Sequence, residues 1–263
     1  MRSFIPIASF YQGPDQLEKL PRGLLVSGPA GNGRELFVRA LAGDARVPLF
    51  MTESNRFTDE KYGLVRLMAA FLHARNEAPS ILFLRDIDHI TYDREKNRSW
   101  RSLRMTTQFL LILDGYRAGS DKILSHCRTF VVGSVATTAT LDPACLRFGR
   151  FEWLLEFNQP ALKERRIMLK QFVSVSAFPT ATGFLWDEVA LATKGFSLKE
   201  LRCLLNSTVL QQTYRRQSET YTMSNLHHAI GTNNLLRDRR TYYPESSEFQ
   251  STKLQSFFEW QAL

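Results

Sequence analysis

The sequence predicts an α/β fold in which a five-stranded parallel sheet carries helices on both faces and is followed by a small helical domain. Three observations carry this expectation. Short apolar runs that do not alternate recur between helical patterns, as strands buried on both faces do. A glycine-rich turn, Gly28 to Gly33, joins the first of these runs to the first helical pattern. After Asn158-Gln159-Pro160 the strand signals fade and only helical patterns remain.

The predicted strands are Gly23 to Ser27, Val47 to Thr52, Ile81 to Leu84, Thr129 to Ser134 and Trp153 to Phe157. The first helix is expected from Arg34 to Ala42, because Leu36, Phe37, Ala40 and Leu41 share one face and Gly43 offers a stop. The next two are expected over Val65 to Arg75 and Leu103 to Leu113, the latter ended by Asp114-Gly115. Beyond Pro160 the segments Ala161 to Val173, Trp186 to Thr193, Leu198 to Arg216 and Ser224 to Leu236 have helical patterns. The expected organisation is an abbreviated N-terminal segment over 1–20, an α/β domain over 21–159, a helical domain over 160–236, and a polar, aromatic tail or docking segment over 237–263.

With 263 residues, 44% hydrophobic and 23% charged, the chain has the apolar content for a packed core, which excludes disorder throughout. Apolar runs such as Phe109 to Leu113 fall far short of the roughly 18 to 20 residues of a membrane-spanning helix. The net charge of +8 comes with no nucleic-acid recognition motif, so a solvated basic surface is expected and not nucleic-acid binding. Cys127, Cys145 and Cys203 are odd in number and form no CxxC pair, which suggests neither a disulfide framework nor a zinc site and fits a reducing compartment. Met1 to Gln12 lacks a small-residue cleavage pattern, so no signal peptide is expected.

Gly28-Pro29-Ala30-Gly31-Asn32-Gly33-Arg34-Glu35 fits G-x-x-x-x-G and then departs from K-[ST]. Glycines at 28, 31 and 33 let the backbone curl so that successive N–H groups and a helix N-terminus face an anion. The alternative is a strand-to-helix turn that binds nothing.

In its context this loop resembles that of the AAA ATPase family, and within it the FtsH-type module of membrane-bound ATP-dependent proteases. Pro21-Arg22-Gly23-Leu24-Leu25-Val26-Ser27-Gly28-Pro29 resembles the family's entry into its phosphate loop (Walker A), and Ala78-Pro79-Ser80-Ile81-Leu82-Phe83-Leu84 its Walker B strand. Leu141-Asp142-Pro143-Ala144-Cys145-Leu146-Arg147-Phe148-Gly149-Arg150-Phe151 is similar to the second region of homology. Gly195-Phe196-Ser197 with Leu198-Lys199-Glu200-Leu201 is similar to the lid motif. Tyr11-Gln12-Gly13 resembles the short turn at the front of the adenine pocket. The resemblance spans roughly residues 10 to 235 and implies a P-loop AAA sheet with a helical lid. It also implies ATP or ADP held by Gly13, Pro29, Ala30, Gly31, Asn32, Gly33, Arg34 and Glu35.

The departures bear on catalysis. Arg34 stands where the family has its phosphate-binding Lys, still cationic but planar and forked. Glu35 replaces the magnesium-binding hydroxyl and Arg85 the metal-supporting Asp of Walker B. Family geometry would bring Glu35 and Arg85 together as an ion pair in the metal's space; two independent losses are the alternative. Asp86 aligns with the catalytic Glu, one methylene shorter, and Ala136 with the polar sensor 1 residue. Phosphoryl transfer relies on metal, positioned water and charge stabilisation together, so impaired hydrolysis is expected.

Arg147 and Arg150 match the two arginine-finger positions, which in a ring reach the neighbouring subunit's nucleotide; capping or local ion pairing is the alternative. Lys61-Tyr62-Gly63 is the nearest match to the pore motif, and Tyr62 either grips polypeptide or packs. Arg94, Lys96, Arg98, Arg101 and Arg104 follow Walker B, where a second pore-side loop is common. No H-E-x-x-H occurs, so no zinc protease centre is expected. The resemblance thus implies a hydrolysis-deficient subunit of an FtsH-like hetero-hexamer acting on unfolded or translocating polypeptide. Its nucleotide would be bound with or without magnesium, its catalytic candidates are Asp86, Arg147 and Arg150, and membrane association would come through partners or missing segments. A plastid is the implied compartment, with the cytoplasm or mitochondrial matrix as alternatives. A slow ATPase using Arg34, Asp86 and a metal on Glu35, and a structural subunit with an empty pocket, remain alternatives.

Overall fold

A computed structural model describes residues 23–93, 99–114, 129–176, 178–181, 183–214 and 220–242. They fall into two compact units divided between Gln159 and Pro160.

The first unit is a five-stranded sheet of β1 (Gly23–Ser27), β2 (Leu49–Glu53), β3 (Ser80–Arg85), β4 (Thr129–Val135) and β5 (Phe151–Glu156). The strands lie in the order β2-β3-β4-β1-β5, every pair parallel. The three central strands are buried almost throughout, the environment that unalternating apolar runs require.

Successive side chains on these strands still point to opposite faces. Leu25, Leu82, Leu84 and Val131 pack with Leu67 and Phe71 of α2 (Gly63–Asn76) and Phe109 of α3 (Trp100–Leu113). Leu24, Val26, Ile81, Phe83, Phe130 and Val132 pack with Val38, Leu41 and Ala42 of α1 (Arg34–Ala45) on the other face. One sheet therefore feeds two cores.

Element boundaries differ from expectation mostly at the sheet edges. Strand β2 runs Leu49–Glu53 and is half-buried along its length, and β5 starts at buried Phe151 rather than Trp153. An irregularity between Gly23 and Leu24 lets Gly23 face Phe151 while Leu24 faces Trp153. Helix α1 passes through Gly43 and stops at Arg46, whose left-handed backbone (φ 55°) returns its N–H to the carbonyls of Ala42 and Gly43. Its inward face is Val38, Leu41 and Ala42, with Phe37 partly buried, whereas Leu36 is 60% exposed and Ala40 also faces water.

The second unit comprises α4 (Leu162–Val175), α5 (Trp186–Ala192), α6 (Leu198–Tyr214) and α7 (Met223–Tyr242), the last running past Leu236. Its core is Leu169, Val189, Phe196, Leu201, Leu204, Tyr221, Leu226 and their neighbours. Ser197 and Glu200 start α6 reciprocally. The Ser197 N–H donates to Glu200 Oε2 at 2.7 Å, and the Glu200 N–H donates to Ser197 Oγ at 3.3 Å. Buried Arg165 donates to the Ala190 carbonyl at 3.0 and 2.8 Å and to the Pro160 carbonyl at 2.7 Å. Residues 1–20 and 243–263, and with them Gly13 and most of the expected tail, lie outside the described residues.

Candidate functional site

The site forms where β1 hands over to α1. Gly28 donates its N–H to the Val135 carbonyl at 3.1 Å, joining the loop to the end of β4. Its φ of +133° is open to glycine alone, and a Cβ there would sit 2.1 Å from the Phe157 carbonyl oxygen. Gly31 and Gly33 also have positive φ, and Gly33 is the left-handed N-cap of α1. Because glycine has no side chain to cap the helix, the N–H groups of its first turn stay available to an anion. Pro29 and Ala30 are exposed on the loop, and Asn32 is buried.

Asn32 carries the least expected feature. Its side-chain Nδ2 and Oδ1 are both buried without a hydrogen-bond partner. A buried amide with neither its donors nor its acceptor satisfied calls for a ligand or water. The strand, the glycine loop, the uncapped helix start and this orphaned amide fit the phosphates of a nucleotide.

Arg34 crosses the mouth of the loop. Its Nη1 donates to the Val135 carbonyl at 2.6 Å, and its Nη2 lies 3.8 Å from Asp86 Oδ1. Asp86 sits in the left-handed region (φ 52°), donates its N–H to Ser134 Oγ at 3.0 Å, and has a side chain 54% exposed. Ala136, just past the end of β4, offers only a methyl group.

Glu35 and Arg85 form the ion pair that the family geometry suggested, with Arg85 Nη1 donating to Glu35 Oε2 at 3.1 Å. The pair belongs to a longer chain. Arg39, one helical turn on, donates Nε and Nη2 to Glu35 Oε1 at 3.0 and 2.7 Å, and Arg85 Nη2 donates to Glu53. Glu53 and Arg85 are register partners on β2 and β3, which accounts for their meeting. The Arg39 guanidinium above all, with Arg85, holds the Glu35 carboxyl below its usual value of 4.5 in spite of partial burial.

This donor set does not fit magnesium. A hard divalent cation takes oxygen ligands; here the carboxylate at position 35 is occupied by two guanidinium groups, and position 85 is itself a cation. Two like unit charges about 4 Å apart repel by about 4 kcal/mol at an effective dielectric near 20, and a dication doubles that. No cluster of three or more His, Cys, Asp or Glu that could hold a metal occurs among the described residues.

The two finger candidates have different surroundings. Arg150 is 16% exposed and donates Nε and Nη2 to the two oxygens of Asp114, each at 2.7 Å, and Nη1 to the Ala144 carbonyl at 2.7 Å. Its bonds to Asp114 raise its pKa above the usual arginine range against the effect of burial. Arg147 is exposed, and its side chain makes no hydrogen bond or ion pair with the described residues. Phe148 beside it is 96% exposed.

Tyr62 is 48% exposed at the start of α2, with Lys61 Nζ 5.2 Å and the Arg66 guanidinium 6.0 Å from its ring centroid. Asp59 Oδ1 accepts the N–H groups of Lys61 and Tyr62, both at 2.9 Å, and those bonds hold its carboxyl below the usual range. A cleft of about 490 Å³ beside it is lined by Leu64, Val65, Tyr92, Trp100, Arg104 and Met105 among others. Arg101, also at this cleft, pairs with Glu60, whereas Arg94, Lys96 and Arg98 lie outside the described residues.

Sequence reasoning missed Arg39, Glu53 and Asp114. Arg39 was open to discovery, since it stands four residues after Glu35 on a helix; Asp114 and Glu53 meet their arginines only through the fold.

A phosphate-type loop between the first strand and first helix of a 2-3-4-1-5 parallel sheet defines a P-loop nucleotide-binding domain, here followed in the chain by a helical unit. The chain belongs to the AAA family, the ATPase family associated with various cellular activities, whose model matches residues 24–159. It is 39% identical over 92% of its length to an uncharacterised protein of Ostreococcus tauri, covering 19% of that protein. It is 33% identical over 85% of its length to "ATP-dependent zinc metalloprotease FtsH 3" of Sphaerobacter thermophilus, covering 45% of it. Over 82% of its length it is 32% identical to "ATP-dependent zinc metalloprotease YME1 homolog" of Schizosaccharomyces pombe, covering 29% of it. The chain is thus an FtsH-like AAA module that spans less than half the length of these relatives, and its family implies nucleotide binding.

Proposed function

We propose that this chain is a nucleotide-binding, hydrolysis-deficient subunit of a mixed hexameric FtsH-like ring that handles unfolded or translocating polypeptide. The observation that carries the reading is the Arg39–Glu35–Arg85 cluster, which fills the positions of the magnesium ligands while the glycine loop and orphaned Asn32 amide remain fit for phosphates. When bound here, a nucleoside triphosphate would supply the phosphate charge that the loop holds; the phosphoanhydride cleaved in the ring would be the one in an active neighbour's own pocket. In this chain Arg34 and the loop hold the phosphates, Ala136 positions no water, and the Asp86 carboxylate lies beside Arg34.

Arg147, exposed and without a side-chain partner among the described residues, is the residue proposed to reach a neighbouring subunit's nucleotide, with Phe148 packing against that subunit. Arg150, clamped to Asp114, is proposed to hold the loop from which Arg147 projects. Tyr62 and the adjoining cleft favour contact with polypeptide over packing, because the ring is half exposed and touches cations rather than a core. A plastid, membrane-associated setting is part of the proposal on the strength of the family resemblance alone.

The test is nucleotide binding and phosphate release by the purified chain. Binding of a fluorescent ATP analogue, lost in Arg34→Ala, without phosphate release above background is the expected result. Sustained magnesium-dependent release abolished by Asp86→Asn would establish a slow ATPase instead, and absence of binding at millimolar nucleotide a purely structural subunit.

A further inference from the structure

Positions 35 and 85 normally carry a hydroxyl and a carboxylate around a divalent cation in P-loop ATPases, and the structure shows what stands there instead. The Arg85 guanidinium is fixed through two different terminal nitrogens, one on Glu35 and one on Glu53. The Glu35 carboxylate has both oxygens engaged, Oε1 by Arg39 and Oε2 by Arg85. A hydroxyl, a carboxylate and a dication sum to one positive charge. Arg39, Glu35, Arg85 and Glu53 sum to zero, so the cluster keeps a fixed guanidinium in place without a metal while carrying one positive charge less than the metal site. Glu53 is 47% and Arg39 55% exposed, so solvent screens the two ends of the chain alike and Arg85, the least exposed member, is the charge that matters at the loop.

We infer that Arg85, anchored by Glu35 and Glu53, substitutes for the divalent cation, so that this loop takes a nucleoside di- or triphosphate free of magnesium. The inference rests on the nucleotide-binding reading and specifies the form of the ligand. Guanidinium is suited to the task because it is permanently charged and presents a planar fork of donors to phosphate oxygens. Arg85 can turn one donor to a phosphate while a second stays on a carboxylate, and Arg34, held by its bond to Val135, adds a second guanidinium at the loop. A metal gains nothing here, since its oxygen ligand is taken and its neighbour is a cation.

The experiment is titration of the full chain with N-methylanthraniloyl-ADP, once in millimolar magnesium and once in EDTA, followed by fluorescence. The expected result is dissociation constants within about twofold of each other in the two buffers. Arg85→Gln should weaken binding in EDTA by about tenfold with an unchanged circular dichroism spectrum, and Glu35→Thr with Arg85→Asp should make magnesium tighten binding by about tenfold. Wild-type binding that magnesium tightens more than about tenfold would overturn the inference while leaving nucleotide binding intact. Undiminished binding of Arg85→Gln in EDTA would likewise overturn it. No binding in either buffer would overturn the nucleotide reading beneath it.

Discussion

Arg150→Ala separates a clamp from a catalytic finger. The substitution deletes three hydrogen bonds of 2.7 Å, two to Asp114 and one to the Ala144 carbonyl, and strands the Asp114 carboxylate. Bonds to charged groups contribute about 1.5–3 kcal/mol each, and breaking a fully buried pair costs about 3–5 kcal/mol. The side chains here are 16% and 30% exposed, so water recovers part of the loss, and about 2–3 kcal/mol is the expected cost. For a unit of this size that lowers the melting temperature of the α/β part by about 5–10 °C, read by scanning calorimetry. Arg150→Lys keeps one or two of the bonds and should lose about half as much. Arg147→Ala, which removes no side-chain bond to the described residues, should change stability by less than about 0.5 kcal/mol. An Arg150→Ala shift below about 1 °C would refute the clamp and return Arg150 to the role of a free finger.

Gly28, in the loop after β1, and Gly43, inside α1, should respond in opposite directions. Gly28→Ala drives a Cβ to 2.1 Å from a backbone oxygen at a φ that L-residues avoid, and should cost about 3 kcal/mol or prevent soluble expression. Gly43→Ala meets no atom within 4 Å inside a helix and should stabilise by about 0.5–1 kcal/mol in urea unfolding. The depressed carboxyl of Glu35 contributes stability that is present above its unfolded value near 4.5 and lost as pH falls through the lower folded value. Glu35→Gln should therefore flatten the acid limb of the stability profile below about pH 4.5, by no more than about 0.5 kcal/mol because the group is partly exposed; an unchanged limb would count against the ion pairs.

The central strands were legible because β1, β3 and β4 are buried on both faces, and burial writes itself as an uninterrupted apolar run. The edges were less so: β2 and β5 mix apolar and polar residues, and their ends depend on partners such as Pro48, whose carbonyl accepts from Ile81, and Ser27, whose carbonyl accepts from Phe157. Gly43 misled as a stop because α1 ends through a left-handed arginine instead. The meeting of Glu35 with Arg85 followed from motif register, although the residues are 50 apart in the chain. That Arg150 pairs with an acid was one of the two readings open from the sequence, but the identity of that acid was not legible, since Asp114 looked only like the end of a helix. The Asn32 amide is invisible to any pattern, because lack of a partner is a property of the folded site.

The chain of alternating charges from Arg39 through Glu35 and Arg85 to Glu53 also limits which single substitutions the site can absorb. Arg85→Asp alone would set a carboxylate beside Glu35 and Glu53 with only Arg39 to balance them. Glu35→Thr alone would strip Arg85 of one of its two acids and leave Arg39 without its carboxylate. Neither single step back toward a metal site passes through a well-balanced intermediate. The network therefore couples positions 35 and 85: a variant that places metal-ligating residues there has to change both together, with Arg39 and Glu53 left to find new partners.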